Sequence, residues 1–92
     1  MNATDVSQLV QLAKQGEQRP FAGAYLQQLS RPQPRQLEHN LWLLVLEGEL
    51  IVDLPYGDFR ILKAAESVTV YAPLAICLTP VEATVVLEVS LV

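Results

Sequence analysis

From residue 41 onward, the chain is a series of short apolar segments rich in β-branched residues and separated by turn-forming residues. Short strands at such regular spacing are typical of an antiparallel sandwich or barrel. Residues 55–58 are predicted to form a hairpin turn, because proline presets an early turn position and Gly57 accepts a positive φ. The segments predicted to be strands are 21–29, 41–46, 49–54, 59–63, 67–72, 74–79 and 84–91.

The stretch that precedes these segments has helical periodicity. Apolar residues recur three or four positions apart between residues 6 and 13, which is the spacing of one helix face. Thr4 or Asp5 can cap the first turn, and Gly16 stands where a C-terminal cap is expected. Residues 5–15 are therefore predicted to form one amphipathic helix, which we expect to pack on its own domain.

Two stretches interrupt the strand pattern. Residues 31–35 contain Pro32 and Pro34, and each proline fixes its own φ and restricts the residue before it. We interpret this stretch as an extended connecting loop. Gly48 is interpreted either as a tight turn or as a bulge within a longer curved strand.

The two faces of the predicted strands differ along the chain. Both faces of residues 41–46 are apolar, so this strand is predicted to be covered on both sides. In residues 84–91 the more apolar face is predicted to point into the core and the other face into water. The predicted inward face of that last strand holds Val85, Leu87, Val89 and Leu91, and the predicted outward face holds Thr84, Val86, Glu88 and Ser90.

Charge and composition exclude several classes of partner. The 92 residues fit one domain, and the net charge is −4, with six scattered basic residues. The absence of a basic patch disfavours nucleic acid and anionic membranes as partners. One cysteine, Cys77, permits no intrachain disulfide, and no long apolar segment is present, so a cytoplasmic location is expected. Apolar residues make up 51% of the chain, more than one small core needs, which favours a homodimer.

Residues 36–80 combine the sequence VLEGEL at residues 45–50, the hairpin at 55–58 and the stretch LKAAESVTVYAP at 62–73. This combination resembles a small single-domain cupin. The resemblance implies an all-β fold, an antiparallel jelly-roll barrel over residues 21–92 that forms one domain, 1–92, together with the helix at 5–15.

The resemblance also implies where a metal would bind. Metal-binding cupins carry the motifs H-x-H-x3-E-x6-G and G-x5-P-x-G-x2-H-x3-N. With the first motif ending on Gly48 and the second beginning on Ala65, the ligand positions hold Arg35, Leu37, Leu41 and Ile76. None of these side chains is a usual metal ligand, so no metal and no other cofactor is expected.

His39, the one histidine, does not restore the motif. As the second motif histidine it would move the glutamate position to Leu43 and the glycine position to Leu50. One imidazole without further ligands is too few for a tight metal site. We therefore predict no metal ligand and no catalytic residue.

Two functional hypotheses remain. The first is a metal-free binding or structural module that holds a small apolar ligand or a protein partner. Its homodimer contact is expected at Trp42, Leu44 and Leu46 or at the N-terminal helix. The alternative is a degenerate cupin enzyme, of lyase, isomerase or oxygenase type, that uses His39. The candidate ligand-binding residues, all in the predicted barrel interior, are Leu37, His39, Leu41, Leu43, Ile76 and Leu78.

Overall fold

The computed structural model describes residues 19–21 and 24–91. Within these ranges the chain forms nine β-strands and one short 3-10 helix, Pro55–Gly57, so the all-β fold class is confirmed. The helix predicted at residues 5–15 lies outside the described residues. The strands are β1 Arg19–Phe21, β2 Ala24–Leu29, β3 Gln33–Leu37, β4 Asn40–Glu47, β5 Glu49–Asp53, β6 Phe59–Lys63, β7 Ser67–Val70, β8 Leu74–Pro80 and β9 Thr84–Leu91.

The strands form two antiparallel sheets that enclose one core. Sheet A has the order β1-β2-β9-β4-β7, and sheet B has the order β3-β8-β5-β6. Alternate residues of each strand point between the sheets, as the two-residue period of a strand requires. The buried residues of this core are Leu29, Leu37, Leu41, Leu43, Val45, Leu50, Val52, Leu62, Val70, Ile76, Leu78 and Val86.

Gly48 is the point at which the chain passes from sheet A to sheet B. It separates β4 from β5 and has a φ of +96°, which favours glycine. A Cβ atom there would lie 2.6 Å from Thr84 Oγ1 and 2.9 Å from the Ala83 carbonyl oxygen. Just before it, the register between β4 and β9 shifts between Val45 and Glu47. The turn interpretation of Gly48 therefore holds, whereas the bulge lies just before it in β4 and the strand does not continue through Gly48.

The hairpin between β5 and β6 is confirmed at residues 55–58. The Leu54 N–H donates to the Asp58 carbonyl oxygen at 2.9 Å, which closes the turn. Tyr56 and Gly57 both have positive φ values, 65° and 77°. Glycine adopts this conformation without steric cost, whereas Tyr56 does so at the exposed tip of the hairpin.

The prediction of a loop at residues 31–35 was wrong, because Gln33–Leu37 form the strand β3. β3 pairs only with β8, which places Pro34 opposite Cys77 on the edge strand of sheet B. In a central strand every N–H is needed for pairing with one of the two neighbouring strands, and proline has none. An edge strand has a neighbour on one side only, so a proline there need not remove a hydrogen bond. The edge position therefore accommodates a proline that the sequence pattern treats as a strand breaker.

The predicted orientation of β9 was also wrong. Val86 belongs to the core between the sheets, and Glu88, on the same face, is only 4% exposed. Val85 and Leu87 instead pack with Leu26 on the other face of sheet A. The more apolar face of β9 thus points away from the main core. The opposite face carries Glu88, whose carboxylate accepts hydrogen bonds in the interior.

The outer face of sheet A, which we define by Leu26, Trp42, Leu44, Leu46, Val85, Leu87 and Val89, is apolar. Leu26 and Val85 are buried there, and the other five residues are half-buried. On the inner face of β4, Leu41, Leu43 and Val45 are buried. The two apolar faces predicted for residues 41–46 are therefore present in the fold.

Candidate functional site

The predicted ligand-binding residues lie in two different environments. Leu37, Leu41, Leu43, Ile76 and Leu78 belong to the core between the sheets, and Leu43 and Leu78 have no exposed surface at all. His39, in contrast, is exposed in the turn between β3 and β4. The structure thus brings the apolar candidates together and places the histidine at the surface.

A groove of about 860 Å³ opens where β2 and β9 of sheet A approach β3 of sheet B. Leu37 and Leu41 form its apolar floor, and His39 lies on its rim. We call it the seam groove. The residues that line it are Ala24, Tyr25, Gln27, Gln33, Arg35, Gln36, Leu37, Glu38, His39, Leu41, Glu88 and Ser90.

A polar network crosses the groove from one sheet to the other. Arg35 Nη1, from β3, lies 2.8 Å from Glu88 Oε1, from β9. Gln27 Nε2, from β2, donates to Glu88 Oε2. Gln33 Oε1 accepts from Arg35 Nη1 at 3.0 Å and from Gln27 Nε2 at 3.4 Å. Each carboxylate oxygen of Glu88 therefore accepts a hydrogen bond from a neighbouring strand.

This network explains why a charged residue can face the interior. A buried carboxylate costs several kcal/mol in lost hydration unless a charge and hydrogen-bond donors replace the water. Glu88 is 4% exposed, whereas Arg35 is 31% exposed and reaches the groove surface. Among the described residues, no buried side-chain nitrogen or oxygen lacks a hydrogen-bond partner.

The positions that resemble metal-ligand positions lie close together but do not fit a metal ion. Arg35 faces Ile76 across the β3–β8 pair, and Leu37, Leu41 and Ile76 share the same core. In the part of the chain that the structure describes, no three His, Cys, Asp or Glu side chains are grouped so that they could hold a metal ion. Guanidinium and aliphatic side chains offer no donor atom that a metal ion would use.

The polar half of the groove was missed at the sequence level. Gln27, Gln33 and Glu88 were not predicted site residues, and Arg35 was considered only as a lost metal ligand. One signal was available, since Glu88 interrupts the apolar segment VVLEVSL at residues 85–91. A charge inside such a strand indicates a buried partner on another strand, but the sequence does not identify that partner.

Other candidate groups lack the features of a second polar site. Cys77 is half-buried, with its Sγ 3.7 Å from Thr79 Oγ1. A second groove, of about 250 Å³, lies between the edge strands β6 and β7 and has mostly apolar walls. No helix within the described ranges is long and apolar enough to cross a membrane.

No family model matches the sequence, and no curated protein matches it either. Among solved structures, a cupin-2 domain containing protein from Shewanella frigidimarina is similar to this chain with a TM-score of 0.77 and 12% identity. That match covers 97% of this chain and 95% of the Shewanella chain.

Two further solved structures show the same likeness. A protein assigned as ethanolamine utilization protein Q from Salmonella typhimurium matches with a TM-score of 0.67 and 26% identity, over 73% of this chain. The match spans only 55% of the Salmonella chain. Drosophila melanogaster CENP-C, solved bound to CAL1, matches with a TM-score of 0.62 and 19% identity, over 79% of this chain and 67% of its own.

Proposed function

We propose that this protein, which has the fold of small cupin domains, acts as a metal-free binding module that holds a small molecule in the seam groove. The observation that carries the proposal is the groove itself, which joins an apolar floor to a polar wall. Ligand sites typically combine apolar walls with a few fixed polar groups. Leu37 and Leu41 supply the first element, and Arg35 with its hydrogen-bonded partners supplies the second.

The donor set supports binding without a metal. Metal-binding cupins, as the resemblance implies, hold a metal through histidine and glutamate, whereas this chain has Arg35, Leu37, Leu41 and Ile76 at the aligned positions. The Arg35 guanidinium supplies a fixed positive charge, which in this chain is paired with Glu88. Elemental analysis after purification without chelators is expected to find well below one metal ion per chain.

The dye 8-anilinonaphthalene-1-sulfonate, which carries an apolar ring system and one anionic group, provides a direct test of the groove. We expect saturable binding with one dye per chain, measured by fluorescence titration. Ser90→Trp should abolish it, because the exposed Ser90 lines the groove and an indole there would fill it. Ser67→Trp is the matched control, since Ser67 is also exposed but lies on β7, outside the groove. Equal dye binding by both variants would refute the proposal.

Protein binding is a second candidate function, favoured by the outer face of sheet A. Trp42, Leu44 and Leu46 lie on this apolar face, and contiguous apolar surface commonly marks a protein interface. The likeness to CENP-C, which was solved bound to CAL1, is consistent with a cupin fold that binds protein. A homodimer through this face is the version that we test below. The enzymatic alternative that uses His39 stays a prediction.

A further inference from the structure

We infer that the ligand of the seam groove is an aliphatic monocarboxylate, with its carboxylate bound by Arg35 and its chain lying on Leu37 and Leu41. The inference rests on the proposed function, because it names the ligand class of the same groove. It modifies the wholly apolar ligand that the sequence predicts. The reasons are the hydrogen-bonding capacity that the polar network leaves unused, the charge balance of the groove, and the nature of its floor.

The network leaves more donors than acceptors unused at the groove. Both oxygens of Glu88 accept hydrogen bonds, and Gln33 Oε1 accepts two. Among the described residues, Arg35 bonds to Gln33 and Glu88, both times through Nη1. In the described part of the chain, its Nε and Nη2 atoms and Gln33 Nε2 therefore retain N–H groups for a ligand. A head group rich in acceptor oxygens is the complement of such a set.

The unused edge of Arg35 has the geometry that a carboxylate needs. The Nε–H and one Nη2–H of a guanidinium point in parallel and bind the two oxygens of a carboxylate together. Arg35 can make this contact while Nη1 stays with Glu88. Arg35 lines the groove, and its side chain is 31% exposed.

The charges around the groove favour one negative charge over two. Arg35 and Glu88 offset each other, and the exposed Glu38 on the rim repels anions. A dianionic phosphate would be repelled by the carboxylates of Glu38 and Glu88 and attracted by the guanidinium of Arg35 alone. A monocarboxylate gains its affinity from the directed hydrogen bonds to Arg35, and the apolar floor adds burial of its chain.

Three probes of equal chain length separate the head group from the tail: octanoate, octan-1-ol and octylamine, each titrated by isothermal calorimetry. We expect octanoate to bind at least tenfold more tightly than octanol, and octylamine to bind more weakly than octanol. Arg35→Lys keeps a positive charge for Glu88 but removes the parallel N–H pair. It should lower the affinity for octanoate to that for octanol. The control is Arg60→Lys, because Arg60 is exposed and paired with Asp58 on another edge of the fold. It should leave the affinity for all three probes unchanged.

The outcomes separate this inference from the proposed function. If octanol binds as tightly as octanoate, or if Arg35→Lys leaves octanoate binding intact, the inference is overturned. The groove then remains a binding site only if Ser90→Trp still abolishes octanol binding. If Ser90→Trp affects none of the probes, the proposed function fails as well. If Arg35→Lys does not fold, the neutral pair Arg35→Gln/Glu88→Gln, which also removes the guanidinium, provides the same comparison.

Discussion

Among the described residues, Arg35 and Glu88 form the one ion pair that joins the two sheets. Substituting these two residues tests how much the pair contributes to the stability of the sandwich. Arg35→Leu leaves the Glu88 carboxylate buried without its charge partner, so we expect a loss on the order of 3 kcal/mol in the free energy of unfolding. The double variant Arg35→Leu/Glu88→Leu removes both charges and should recover most of that loss. Urea denaturation of both single variants and the double variant gives the coupling energy. A double variant no more stable than Arg35→Leu would contradict this account.

Gly48 and Gly57 provide a matched pair of tests at the same scale. Both have positive φ values, but a Cβ atom at Gly48 would meet Thr84 Oγ1, whereas at Gly57 nothing lies within 4 Å. We expect Gly57→Ala to cost about 1–2 kcal/mol of unfolding free energy for the backbone conformation alone. Gly48→Ala should cost clearly more, because Thr84 must also move. Chemical denaturation measures both values, and equal losses would show that the contact with Thr84 is unimportant.

At the scale of the element, β6 shows how an exposed edge strand is kept from pairing. The Phe59 N–H donates to Asp58 Oδ1 at 2.9 Å, and the Phe59 carbonyl oxygen accepts from Arg60 Nη1 at 2.9 Å. The Lys63 N–H donates to Glu66 Oε1 at 2.6 Å, and the Lys63 carbonyl oxygen accepts from the Glu66 N–H. These backbone groups would otherwise be available to a strand of another molecule.

Asp58→Ala/Arg60→Ala is predicted to make β6 associate with other copies. The double variant frees the N–H and the carbonyl oxygen of Phe59 without changing the net charge. It does so beside the half-exposed side chains of Phe59 and Ile61. Sedimentation velocity over a concentration series should reveal species larger than those of the unmodified protein. Arg31→Ala/Glu82→Ala, which removes two exposed charges from loops, is the control and should not associate further.

The strands also show how far the sequence alone could lead. β4 to β9 were predicted because their β-forming segments are separated by turn residues, and β2 was predicted as part of the loosely alternating residues 21–29. Both signals are local. β3 was missed, because Pro34 is acceptable only on an edge strand, and edge position is a property of the whole sheet. The orientation of β9 was wrong for a similar reason, since Glu88 is stabilised inside by Arg35, from a strand about 50 residues earlier. The apolar floor of the seam groove was therefore predictable, whereas its polar wall was not.

At the scale of the whole molecule, the homodimer predicted from the sequence remains to be measured. Light scattering at micromolar concentration should give twice the chain mass of 10.2 kDa. Trp42→Lys places a charge on the apolar outer face of sheet A, so it should reduce the mass to that of one chain or unfold the domain. Ile61→Lys is the control, because Ile61 is 48% exposed on sheet B. A monomeric unmodified protein would refute the dimer.

The position of β9 bears on the order in which the chain is synthesised. β9 is the last of the described strands, yet it lies between β2 and β4 and pairs with both. A ribosome releases residues 24–47 well before 84–91, so β2 and β4 emerge before the strand that connects them. β2 and β4 can therefore join into one sheet only after β9 has been synthesised, and a nascent chain stalled at residue 83 should leave the β9-facing edges of β2 and β4 accessible to chaperones.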